Sequence, residues 1–143
     1  MSYDLKITGG DLSLQNGDLA KVTNSDKLIQ DILKICLTDV GSDPIHPSYG
    51  SFLSRSVVGN ANKTSMIVQI AQAQINTCLT NLQSLQQVQL KTYQQMTADE
   101  QLASILGISV QRNAFDARLY TVKIKVMTKG IQAITTEFTI NTL

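Results

Sequence analysis

Few residues in this 143-residue chain could do chemistry. His46 is the sole histidine, Cys36 and Cys78 are the two cysteines, and the acids that lie close in sequence are Asp39 with Asp43 and Asp99 with Glu100. His46 stands between Pro44 and Pro47 with no nucleophile motif beside it, which disfavours a catalytic triad; a zinc site would need ligands that the settings of the cysteines do not offer. Both cysteines fall at apolar positions of helix-like runs, where a reduced cysteine packs as a small hydrophobe. Two carboxylates form a glycosidase acid/base pair only by facing each other across a cleft, roughly 5 to 10 Å apart and in unlike environments. Near neighbours on a loop or a helix start do not achieve that by themselves. The chain has no P-loop, no dinucleotide fingerprint and no paired Cys-x-x-Cys. These observations predict no catalytic residue, no metal, no cofactor and a protein that is not an enzyme.

Composition points to protein contact. Charged residues make up 16% and the net charge is +1, too little for a dedicated nucleic-acid binder. Residues 1–60 hold five Lys/Arg and seven Asp, while 61–143 hold seven Lys/Arg and four acids, so the chain is weakly dipolar. No run approaches the roughly 18 apolar residues of a membrane helix. The opening MSYDLKITGGDLSL alternates and carries acids where a signal peptide would not, so the expected place is the cytoplasm in which it is made.

The length suits one domain, 1–143. Gly10-Asp11-Leu12 is echoed by Gly17-Asp18-Leu19, and Leu5, Ile7, Leu12, Leu14, Leu19 and Val22 roughly alternate between Gly-Gly and Asn-Gly turns, which predicts a hairpin arm over 1–23. Asn24 or Ser25 can cap a helix whose core stripe is Leu28, Ile29, Ile32, Leu33, Cys36 and Leu37. A short helical piece is predicted from Phe52 to Val58, ending at Gly59, and a long helix from Asn62 or Lys63 with the stripe Val68, Ala71, Ile75, Cys78, Leu79, Leu82 and Leu85. Gln83 to Gln95 is glutamine-rich, reading as an exposed helix end or as a helix laid along another chain. Thr97-Ala-Asp-Glu100 has the capping-box form and predicts further helical turns through Leu102 and Ile105, closing a helical part over 24–107. From Ile108 the period becomes two, predicting a three-stranded antiparallel meander over 108–143 with Tyr120, Val122, Ile124 and Val126 on one face and Ile134, Phe138 and Ile140 facing inward. The fold class is α+β: a β-ribbon, two or three α-helices, then an antiparallel sheet.

Between the first helices lies LTDVGSDPIHPSYGSFL, residues 37–53, with both prolines of the chain. Two prolines fix φ and disfavour helix at Asp43 and His46, so the loop over 38–51 is stiff, a suitable means of presenting a fixed contact. Leu37, Thr38, Gly41, Pro44, Pro47, Tyr49, Gly50 and Leu53 fit in order the pattern of the baseplate wedge family of contractile-tailed phages, also called baseplate assembly protein W or sheath initiator, with relatives in type VI secretion baseplates. The chain resembles that family through the upstream hairpin and the order of elements as well. The family's Glu-Pro-Arg before the sheet has its counterpart at Glu100-Gln101-Leu102, without the proline and arginine.

The resemblance implies a structural baseplate component that joins wedge and hub proteins and whose sheet, similar to the interlocking domain of sheath subunits, templates the first sheath ring by strand addition. Its expected partners are other wedge and hub proteins, the tail sheath protein and, as a further candidate, the tail tube; neither nucleic acid nor membrane is among them. The expected location is the virion tail baseplate. The residues expected at partner contacts are Gly41, Pro44, Pro47, Tyr49 and Gly50 in the loop, Glu100, and Ile131, Ala133, Thr135, Glu137 and Thr139 along the last strand. The alternatives are a lysozyme-like peptidoglycan hydrolase of the tail and a stand-alone adaptor that uses its helix surface.

Overall fold

A computed structural model describes residues 2–57, 63–92 and 95–142. The N-terminal strands are β1 (Asp4–Leu5), β2 (Ile7–Thr8), β3 (Asp11–Leu12), β4 (Leu14–Gln15), β5 (Asp18–Leu19) and β6 (Lys21–Val22). Helices α1 (Asn24–Leu37), α2 (Leu53–Val57) and α3 (Thr64–Lys91) follow, then a 3-10 turn at Ala98–Glu100 and strands β7 (Leu102–Arg112), β8 (Leu119–Thr128) and β9 (Ala133–Asn141). The predicted α+β class and order of parts are as observed.

The N-terminal arm is a three-leaved unit. β2 pairs with β3, β4 with β5, and β1 with β6, all antiparallel. Lys6, Ser13 and Ala20, seven residues apart, close an inner ring: the Lys6 N–H donates to Ala20 O, Ala20 N–H to Ser13 O and Ser13 N–H to Lys6 O, at 2.8 to 2.9 Å. The two-fold echo in the sequence is therefore a three-fold one, Asp4-Leu5, Asp11-Leu12 and Asp18-Leu19, and in each copy the Asp carboxylate accepts from the N–H of the following Leu. Gly9, Gly10, Asn16, Gly17 and Asn24 supply the positive φ at the leaf ends.

The core lies between the helices and one face of the C-terminal sheet. Leu28, Ile32 and Ile35 of α1, Ala71, Ile75 and Leu79 of α3, and Val122, Ile124 and Val126 of β8 are all buried in one cluster. The period-two reading of β8 holds, and on β9 Ile134 and Ile140 are buried with Phe138 packed against the core. Cys36 and Cys78 are buried free thiols with sulfurs 3.3 Å apart; the neighbouring Cys78 sulfur and burial push the Cys36 thiol up.

Several expectations are corrected. Thr23, not Asn24 or Ser25, is the N-cap of α1, and Leu37 is 60% exposed because Ile35 takes the core position in that turn. Beyond the 3-10 turn no helix continues: Leu102 and Ile105 lie on β7, so the sheet begins at 102 rather than 108. The last strand starts at Ala133, since Ile131 sits in the β8–β9 turn with φ +63°. The expected helix ends at Val58 and Gly59 and a start at Asn62 lie outside the described residues.

Candidate functional site

The sheet has the order β7-β8-β9, so its two outer strands face different surroundings. In an antiparallel pair, backbone groups point toward the partner at every second residue and away from it at the others. Thr128 N–H donates to Gln132 O and Thr142 N–H to Arg118 O, which fixes the phase: even-numbered residues of β9 bond β8. Ala133, Thr135, Glu137 and Thr139 then point their N–H and C=O groups outward along the edge, and those groups have no partner among the described residues. Their side chains are exposed, while Ile134, Thr136 and Ile140 between them are buried. Opposite Glu137 on the wet face, Lys123 forms an ion pair at 3.5 Å.

The β7 edge is closed in part. Helix α3 runs beside it and its glutamines reach the outward carbonyls: Gln72 Nε2 donates to Ile108 O at 3.1 Å and Gln83 Nε2 to Ala103 O at 2.8 Å. Gln86, buried, donates to Glu100 O and accepts from the Leu102 N–H. An amide serves here because it can donate and accept without the desolvation cost of a charge. Gln83 and Gln86 of the glutamine-rich stretch thus seal part of an edge of their own sheet, while Gln87 and Gln89 are exposed. That signal was visible as composition, but its target was not.

Glu100 lies inside the chain's own fold. It is 0% exposed, and its carboxyl accepts from Ser2 Oγ at 2.8 Å, Thr97 N–H at 3.0 Å and Asn24 N–H at 3.5 Å. It therefore ties the N-terminal arm and the start of α1 to the turn that opens the sheet. The capping box read from Thr97 and Glu100 is present. Its function is corrected from partner contact to internal clasp.

The Pro/Gly loop is pinned at its base and open at its tip. Ser51 N–H donates to Thr38 O and Ser51 Oγ to Cys36 O, while Asp39 and Ser51 bridge in parallel. Gly50 has φ +118°, and a Cβ there would lie 2.5 Å from Thr38 O. Gly41, also at positive φ, has open space around it and donates to Pro47 O. Beyond these, Pro44, Ile45, His46 and Pro47 are exposed, and Tyr49 packs against the core. The N–H groups of Ile45 and His46 hold the Asp43 carboxyl below the usual range.

Beside the loop is an open groove of ≈ 670 Å³ lined by residues that include Asp4, Asp31, Lys34, Asp43, His46 and Tyr49. Its charges pair among themselves: Lys34 bonds Asp4 and lies 3.3 Å from Asp31, and Lys27 lies 2.8 Å from Asp31. Burial raises the Asp4 carboxyl, but hydrogen bonds from Lys34 and Gln30 and the Lys34 charge outweigh it and leave the group lowered; for Lys34 burial lowers the ammonium and the two aspartates more than restore it. Asp4, with a lowered folded pKa, contributes stability that is full above its unfolded value near pH 4 and lost as pH falls through the folded value. Lys34, with a raised one, contributes below its unfolded value of about 10.4 and loses this as pH rises through the folded value. In urea titrations Asp4→Asn should thus be less stable than wild type at pH 7, and the gap should narrow as pH falls through the folded value of Asp4. A gap that persists unchanged in acid would show that the charge on Asp4 does not matter.

Among the described residues no helix is long and apolar enough to cross a membrane, and no cluster of three or more His, Cys, Asp or Glu could hold a metal. No protein-family model and no curated protein matches the chain. Its structure is similar to a crystal structure from Geobacter sulfurreducens named a "putative tail lysozyme", with a TM-score of 0.61 and 10% identity over 82% of this chain and 90% of that one. The likeness is one of fold. It corrects the expectation that the chain is no enzyme: the fold is shared with a protein named for hydrolysis, so missing sequence motifs do not decide the matter.

Proposed function

We propose that the chain is a component of a phage tail, at the baseplate, and that the open β9 edge accepts a strand from a sheath subunit to start the first sheath ring. The observation that carries this reading is the asymmetry of the sheet: α3 glutamines cap carbonyls of the β7 edge, while Ala133, Thr135, Glu137 and Thr139 present a row of outward N–H and C=O groups without partners among the described residues. A strand added there gains a ladder of hydrogen bonds, and alternate side chains check its identity. Glu137 and Lys123 on the wet face discourage indiscriminate pairing beforehand. The stiff loop, through Gly41, Pro44, Pro47 and Tyr49, serves as the contact to neighbouring wedge and hub proteins.

Proline at Thr135 or Thr139 removes an outward N–H and leaves the β8 ladder intact. Tails assembled with Thr135→Pro should contain the protein but fail to start a sheath. Normal sheath on such tails would remove strand addition from the account.

The name of the similar structure favours a second reading, a tail-associated peptidoglycan hydrolase. Its chemistry would draw on the groove carboxylates Asp4, Asp31 and Asp43. Clearing of a cell-wall suspension that is lost in Asp31→Asn or Asp43→Asn supports it. Clearing that survives Asp4→Asn, Asp31→Asn and Asp43→Asn places the chemistry elsewhere.

A further inference from the structure

The three-leaved arm contains the same small binding notch more than once, and among the described residues one copy is filled. In the first, centred on Lys6, the side-chain amide of Gln30 donates to Leu5 O and to Asp4 Oδ2, both at 2.8 Å, and accepts from the Ile7 N–H at 3.0 Å. Lys34, one turn further along α1, bonds the same Asp4 oxygen. One helix thus reads the notch with a glutamine and a lysine four residues apart, which lie on one helix face.

Seven residues on, centred on Ser13, every recognition group recurs. Asp11 Oδ1 caps the Leu12 N–H as Asp4 Oδ1 caps that of Leu5, which leaves the other oxygen of Asp11 free. The two-residue turns at Gly9-Gly10 and Asn16-Gly17 put Leu12 and Leu14 at non-bonded pair positions, so Leu12 O and Leu14 N–H point outward, as Leu5 O and Ile7 N–H do. Neither group has a partner among the described residues. Leu12 and Leu14 are 49% and 70% exposed, an apolar margin beside an acid and two outward backbone groups. The third position, centred on Ala20, differs: Ala20 is buried and Lys21 stacks over Tyr3, 4.4 Å from the ring.

We infer that the Asp11–Leu14 notch docks a helix of a partner protein that presents a glutamine and, one turn later, a lysine, in the manner in which α1 fills the Asp4–Ile7 notch. The charge fits: the free Asp11 oxygen takes the cation, and the Leu12 carbonyl with the Leu14 N–H take the two ends of the amide. The inference stands on the arm's internal repetition and is independent of a role in the tail. A second copy of this chain is a poor occupant, because its own Gln30 and Lys34 are already engaged.

The probe is a hydrocarbon-stapled peptide with the sequence of residues 24–37, titrated into the full ¹⁵N-labelled chain. The Leu14 amide should shift on saturation while that of Ile7 stays in place, and a peptide with Gln30→Ala and Lys34→Ala should leave Leu14 unmoved. Asp11→Asn in the protein keeps an oxygen for the Leu12 cap and removes the charge, and should weaken binding roughly tenfold. No shift at Leu14, an equal shift with the substituted peptide, or a shift at Ile7 showing that the peptide displaces α1, would each overturn the inference.

Discussion

Glu100→Ala is expected to destabilise the chain by about 3 kcal/mol, or roughly 10 °C in Tm. The carboxyl is fully buried and accepts from three segments: Ser2 of the arm, Asn24 at the start of α1 and Thr97 before the sheet. Truncation removes the acceptor of the half-buried Thr97 and Asn24 N–H groups and leaves a void in place of a fully buried side chain, and an unsatisfied buried donor costs about 1 to 3 kcal/mol. Glu100→Gln keeps the volume and one acceptor oxygen but turns an NH₂ group toward donors, so a loss of about 1 to 2 kcal/mol is expected. Chemical denaturation measures both. An alanine variant within about 0.5 kcal/mol of wild type would mean that the clasp contributes little beyond surface noise.

Gly50→Ala should cost a similar amount, about 3 kcal/mol, for a different reason. At φ +118° an L side chain is strained, and the new Cβ would meet Thr38 O at 2.5 Å, a backbone atom that cannot swing aside. Relief requires separating the Asp39 and Ser51 segments, which breaks the Ser51 N–H bond to Thr38 O that holds the base of the loop. Gly41→Ala is the control: it too has positive φ, but with open space around it, and should lose only about 1 kcal/mol. Equal losses at both positions would show that backbone strain alone matters and that the close approach at Gly50 does not.

The parts legible in the sequence are those where one period runs unbroken. On β8, Tyr120 to Val126 alternate without interruption, and the burial follows. On α3 the spacing of Ala71, Ile75, Cys78, Leu79 and Leu82 marks the core face, although Gln86 is buried on the same face because it bonds both Glu100 O and Leu102 N–H. β7 was misread because irregularities between Leu102 and Ser104 and between Ile105 and Gly107 break its alternation, leaving Leu102 and Ile105 at a helix-like spacing behind a true capping box. The first leaf of the arm has no marker in the sequence for a related reason. Its Asp4-Leu5 lacks the glycine that precedes Asp11 and Asp18, and the inner ring is made by backbone groups that no residue type announces. Of the expected contact residues, the β9 positions have the outward phase that strand addition needs, whereas Glu100 is an acid placed by its capping box and internalised by two donors from outside its own turn, Ser2 and Asn24.

The state of the β9 edge can be read directly from amide hydrogen exchange of Thr135, Glu137 and Thr139, compared between the free chain and the assembled tail. In the free chain these outward N–H groups should exchange faster than those of Thr136 and Phe138, which bond β8. Assembly with sheath should raise their protection to the level of those inward neighbours, since an added strand engages every outward donor. Outward amides that exchange as fast in the sheathed tail as in the free chain would contradict strand addition at this edge.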